Sequence, residues 1–135
     1  MKKTYIVGSC SVLHFSEMDC FWLLLNARTT TGYLAITGSP FEITSKEMRE
    51  RGNTIVSQAI DASFYLPFVK SSLQKTYPDD DSYFRFLKSQ KMHSFVRRSV
   101  GPEVSVYGPD DEKKCELILD DANQKLSVFQ LFETT

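Results

Sequence analysis

The distribution of apolar and polar residues divides the chain into a helical middle flanked by strand-like segments. Thr4 to Leu13 is rich in β-branched and small residues and reads as a first strand, with Gly8 marking a bulge or a close backbone approach. Ser16 to Asp19 has turn composition. Cys20 to Ala27 then contains the unbroken run Phe21-Trp22-Leu23-Leu24-Leu25, which suits a strand covered on both faces. A short helix is the competing reading of that run. Arg28 to Gly32 resembles a hairpin loop, Tyr33 to Thr37 a third strand, and Gly38-Ser39-Pro40 a turn toward the helices.

The helical middle runs from Thr44 to Arg98. Thr44-Ser45-Lys46-Glu47 has capping-box spacing, and Ile43 and Met48 are placed to staple it. Gly52-Asn53 predicts a break after two turns, because Gly costs about 1 kcal/mol against Ala inside a helix. A second helix then starts near Thr54. Its apolar stripe is Ile55, Ala59, Ala62 and Leu66, with Val56, Ile60 and Phe64 alongside, and it ends or kinks before Pro67. Phe68 to Lys75 extends this region until Tyr77-Pro78 stops it.

A third helix is expected over Ser82–Val100, opened by Asp79, Asp80, Asp81 and Ser82 and closed by Gly101-Pro102. Beyond it, Val104 to Tyr107 alternates as a strand and Gly108 to Asp111 forms a turn. Cys115 to Leu119 and Leu126 to Phe132 then read as antiparallel strands around the loop Asp120 to Gln124. The expected architecture is α+β. A mainly antiparallel sheet of about five strands, with strand segments on either side of three helices, packs those helices on one face.

Length and composition narrow the class. With 135 residues, 41% hydrophobic and 13% aromatic, residues 1–135 read as a single domain with a real core. A net charge of −1 favours neither a globally basic nucleic-acid binder nor an acidic mimic of one. Three cysteines do not make a disulfide framework, and a cytoplasmic, reducing location is the expectation. Met1-Lys2-Lys3 resembles the start of a secretory signal, but Gly8, Ser9, Ser11 and His14 break up the apolar stretch that a signal would need next. Phe21 to Leu25 is too short to span a bilayer, so no membrane role is expected.

Candidate chemistry is sparse. Cys10, His14 and Cys20 suggest zinc, but no CxxC or HxxxH pair occurs. Cys10 and His14 would also lie about 13 Å apart on an extended strand. No metal or cofactor is expected. Gly8-Ser9-Cys10-Ser11 looks superficially like a nucleophile turn, with His14 or His93 as base, although the residues after Cys10 continue as strand. There is no phosphate-binding glycine motif, and the acidic pairs fall in turns.

The third helical segment carries the sharpest signal. At helical spacing Phe84, Leu87, Lys91, Phe95 and Arg98 share one side, with Lys88 beside them and Arg97 at the end. A core helix whose cations reach solvent at its margins is the plain explanation. The functional one is a binding face of Phe84, Lys88, Lys91, Phe95, Arg97 and Arg98, since aromatics and Arg anchor protein partners. Five cations on this segment face seventeen acids elsewhere, so single-stranded nucleic acid is the lesser form of that idea.

The expected function is a small interaction module that binds and modulates, by inhibition for instance, a protein partner. Adaptors, inhibitors and the small counter-defence proteins of phages and mobile elements are of this size. A thiol enzyme using Cys10 with a histidine is the alternative, and single-stranded nucleic-acid binding the second. Self-association into a homodimer through the Trp22 strand or the third helix is a further expectation.

Overall fold

The computed structural model describes residues 5–15, 17–28, 34–63, 67, 85, 91–100, 103–108, 112–119 and 127–134. The first three strands form a meander. β1 is Ile6–Phe15, β2 Cys20–Arg28 and β3 Leu34–Thr44. Helix α1, Ser45–Ser63, follows directly. A second meander comprises β4 (Lys91–Arg98), β5 (Val104–Tyr107) and β6 (Lys113–Leu117), and helix α2, Val128–Thr134, closes the described chain. The six strands lie in the order β3-β2-β1-β4-β5-β6, and every described pairing is antiparallel. Among the described residues, each half of the chain therefore reads strand, strand, strand, helix, and the halves join where β1 pairs with β4.

The α+β class and the mainly antiparallel sheet agree with expectation. So does the start of α1: the Glu47 amide donates to Thr44 Oγ1 at 3.1 Å, and the Thr44 amide donates to Glu47 Oε1 at 3.4 Å. Ile43 and Met48, on either side of that cap, both enter the core. Ser45 Oγ lies 2.6 Å from Asp19 Oδ1 and 2.8 Å from the Asp19 carbonyl oxygen, tying the helix start to the β1–β2 turn.

Outside the segment expected as the third helix, three expected elements are different. The break at Gly52-Asn53 does not occur, and α1 continues through it. A Cβ at Gly52 would meet Met48 Sδ at 2.9 Å and Val128 Cβ at 3.7 Å, so this glycine makes room for α2 instead of ending α1. Asn53 accepts the Val128 amide through Oδ1 at 2.9 Å. The buried stripe is accordingly rotated: Met48, Gly52, Val56, Ala59, Ile60 and Ser63 face inward, while Ala62 is exposed. Leu66 and Phe64 lie outside the described residues, as does Phe68 to Lys75.

The expected turn Gly38-Ser39-Pro40 lies inside β3. Leu23 pairs with Phe41 and Leu25 with Thr37, so β3 carries extra residues at this irregularity, and Gly38 has φ 71°. Because β3 is an edge strand, Pro40 costs no ladder hydrogen bond on an inner strand.

Finally, the described part of the expected strand Leu126 to Phe132, residues 127–132, is not a strand. Val128 to Thr134 is helical, and Ser127 begins it as a second capping box. The Gln130 amide donates to Ser127 Oγ at 3.2 Å, and the Ser127 amide donates to Gln130 Oε1 at 2.9 Å.

The main core lies between the sheet and the two helices. Cys10, Val12, Phe21, Phe95, Val104 and Val106 from the strands meet Met48, Val56, Ile60, Val128, Leu131 and Phe132 from the helices. The second sheet face holds a smaller cluster of Leu13, Phe15, Cys20 and Leu24, with Trp22, Ile36 and Met92 packed against it. Beside that cluster runs a polar seam. Asn26 Nδ2 donates to Ser9 Oγ at 3.0 Å and approaches Ser11 Oγ at 3.4 Å, while the Ser11 and Ser94 hydroxyls are 3.0 Å apart.

At the far edge, β6 is short and carries Lys113, Lys114 and Glu116. Glu116 is held below the usual carboxylate range by its hydrogen bond to Lys113. Charge on a short edge strand discourages pairing with another sheet.

Candidate functional site

The segment expected as a third helix changes most. Arg85 is helical, and the other residues from 82 to 90, Phe84 and Lys88 among them, lie outside the described residues. Lys91–Arg98 is β4, a central strand bonded to β1 on one side and β5 on the other. The proposed helical face is therefore corrected at every described position. On a strand, alternate residues share a face. His93 and Phe95 point under the helices and are buried, while Ser94 joins the polar seam on the opposite side. Phe95 is fully buried and cannot dock on anything outside. Lys91 donates its ammonium to the Phe132 carbonyl oxygen of α2.

The remaining cations, Arg97 and Arg98, fall at the end of β4, where β1 begins. Arg98 pairs with Ile6 and Arg97 with Gly8, so Val7 is the extra residue of a bulge. The last turn of α1 presses on this bulge. A Cβ at Gly8 would stand 2.3 Å from the Ile60 carbonyl oxygen, a contact only glycine permits. The Ser9 amide donates to Ser63 Oγ at 2.9 Å, and the Ser63 hydroxyl donates to the Ile60 carbonyl at 2.7 Å.

That docking brings Asp61 to 3.3 Å from Arg97 Nη1. A carboxylate in the last turn of a helix opposes the helix dipole, and Arg97 offsets it. With Asp61 two-thirds exposed, the pair is worth about 0–1 kcal/mol and serves mainly to orient Arg97.

Just beyond, the ladder continues as an exposed corner. The Ser99 amide donates to the Tyr5 carbonyl at 2.9 Å, and the Tyr5 amide approaches Ser99 Oγ at 3.4 Å. Tyr5 is 57% exposed and Val100 49% exposed, two of the four large hydrophobic residues that stand out to solvent among those described. An aromatic ring, an aliphatic side chain and Arg98 thus share one end of the sheet. Sequence spacing could not have found this grouping, because Tyr5 and Val100 come to the same end of the sheet only through the β1–β4 pairing.

The thiol candidates sit elsewhere. Cys10 is fully buried in the main core, and burial raises its pKa far above the ordinary thiol value, against thiolate formation. His14 lies four residues along the same strand and stacks on Phe21 with ring centroids 4.4 Å apart. His93 is buried against Phe132. Cys20 and Cys115 also have raised pKa values, chiefly through burial. This geometry gives thiol catalysis no support.

Among the described residues, no group of three or more His, Cys, Asp or Glu side chains could hold a metal ion, and no helix is long and apolar enough to cross a membrane. The strand carrying Trp22 is interior to the sheet, and its ring packs edge-on against Phe15 at 4.7 Å. Its backbone therefore offers no free edge for self-association. No protein-family model matches the chain, and neither a curated protein nor a solved structure matches it.

Proposed function

We propose that the chain is a small interaction module that binds and modulates a protein partner, using the sheet end formed by Tyr5, Arg98 and Val100. The supporting observation is the exposure of Tyr5 and Val100 beside the Arg97–Arg98 end of β4. Tyrosine and arginine are the residue types that most often dominate protein interfaces, because each combines apolar area with a directed polar group. The strand ends that carry the corner are tied down: the β1 bulge, the Ser9–Ser63 hydrogen bond and the Arg97–Asp61 pair connect Gly8, Ser9 and Arg97 to α1. A preformed surface loses little entropy on binding. This keeps the binding role expected from the sequence and moves it from a helix face to a sheet end.

The test places a photo-crosslinking amino acid at position 5 or 100 of the tagged chain in its native cell, with position 50 on the exposed side of α1 as control. The reading predicts a discrete protein adduct from positions 5 and 100 that is absent from position 50 and weakened by Arg98→Glu. Equal labelling from all three positions, or adducts with nucleic acid alone, would refute it.

A further inference from the structure

The chain has two histidines, and both meet the same side chain. His93 on β4 lies edge-on to the Phe132 ring of α2 with centroids 4.8 Å apart, and His14 on β1 approaches that ring at 6.0 Å. Phe21 completes the enclosure at 5.2 Å. Lys91, whose Cα faces that of His14 across the β1–β4 ladder, donates to the Phe132 carbonyl. Phe132 is thus seated among two imidazoles and an ammonium group.

The element that carries it is slight. α2 has seven residues, too few to remain helical alone, so its docking and its folding are one event. It is held by Val128, Leu131 and Phe132 in the core, by the Val128–Asn53 hydrogen bond and by Arg49 over the Phe129 ring at 4.8 Å.

We propose that α2 is an acid-released latch, in which protonation of His93 and His14 beside the Lys91 ammonium unseats Phe132 and frees the helix while the sheet remains folded.

The charges facing this place support that direction. Burial holds the His93 pKa down at about 4, and Lys91 on β4 and Lys114 on β6 push the same way. His14 is lowered by burial and Lys91, against the opposing pull of Asp19 in the β1–β2 turn. From α1, Arg49 over the Phe129 ring adds a further cation against α2, and Glu133, the acid on α2, is exposed to water. When α2 leaves, an imidazole returns toward its ordinary value of about 6.5. The open state therefore binds more protons, and docking is full above about pH 6.5 and is lost as pH falls toward 4. From His93 alone, a full return to that value would raise the opening constant by at most about 30-fold between about pH 7.5 and pH 5, and Lys91 and Lys114, which stay on the sheet, reduce the rise. Opening uncovers the surface around Met48, Gly52 and Phe21 that α2 closes.

Hydrogen exchange read by mass spectrometry on the full chain at pH 7.5 and pH 5, corrected for intrinsic exchange rates, tests this. The peptide covering α2 should lose protection several-fold, up to about 30-fold, while peptides covering β1 and β4 keep theirs. The His14→Phe/His93→Phe pair should remove the response. Should that pair fail to fold, Lys91→Met provides a second reading: the steepness of the pH response should diminish whatever the starting protection. A pH-independent α2, loss of protection in α2 and the sheet together, or an unchanged pH response in the variants would overturn the proposal.

Discussion

In their described elements the two halves of the molecule share a plan and differ in substance. In the first half, strands of ten, nine and eleven residues lead into a nineteen-residue helix. In the second, strands of eight, four and five lead into a helix of seven. The first half supplies most of the surface on which the second rests. α1 lies over β1 and fixes it through Gly8 and Ser63, whereas α2 leans on α1 through Gly52 and Asn53. The same secondary-structure order thus yields a scaffold in one half and a detachable cover in the other. The join between them, β1 with β4, also forms the proposed binding corner and the floor beneath His93.

The largest expected effect is at the join. Phe95→Ala empties the fully buried ring site on β4 and should cost about 3–5 kcal/mol by chemical denaturation, enough to abolish a single cooperative transition in a marginal protein. Next, Gly8→Ala forces a methyl group into the Ile60 carbonyl, and about 1–3 kcal/mol should be lost as α1 lifts from β1.

The two capping boxes then separate the halves directly. Thr44→Ala should lower global stability by about 1 kcal/mol, read from the denaturation midpoint. Ser127→Ala should weaken α2 by a similar amount, but as faster hydrogen exchange confined to residues 128–134 with the global midpoint nearly unmoved. The smallest effect on stability is expected from Arg98→Glu, within about 0.5 kcal/mol, despite its loss of partner crosslinking.

Legibility in the sequence divides along the same line. Long strands with continuous apolar content, such as Phe21 to Leu25, and a capping box ahead of a helical run, as at Thr44, announce themselves because local and tertiary preferences agree. The second half is short, and there the partners decide. Lys91–Arg98 contains Phe95 and flanking cations that fit helical spacing, yet between β1 and β5 the backbone ladder prevails and sets His93 and Phe95 on one face. Gly52 misleads for the opposite reason, since its role is to admit Val128 from a distant segment. One missed signal was present: Ser127 and Gln130 have the same spacing as Thr44 and Glu47, hidden by the apolar residues around them. The exposed corner was not readable at all, because it is made of residues almost a hundred positions apart.

Native-state hydrogen exchange at residues 91–98 tests the central claim most directly. If β4 joins the two halves, the amides of Phe95 and Val96 exchange as slowly as those of Cys10 and Val12 in β1, all at the rate of global unfolding, while α2 exchanges far faster. Rapid exchange through 91–98, in step with α2 and apart from β1, would contradict the account.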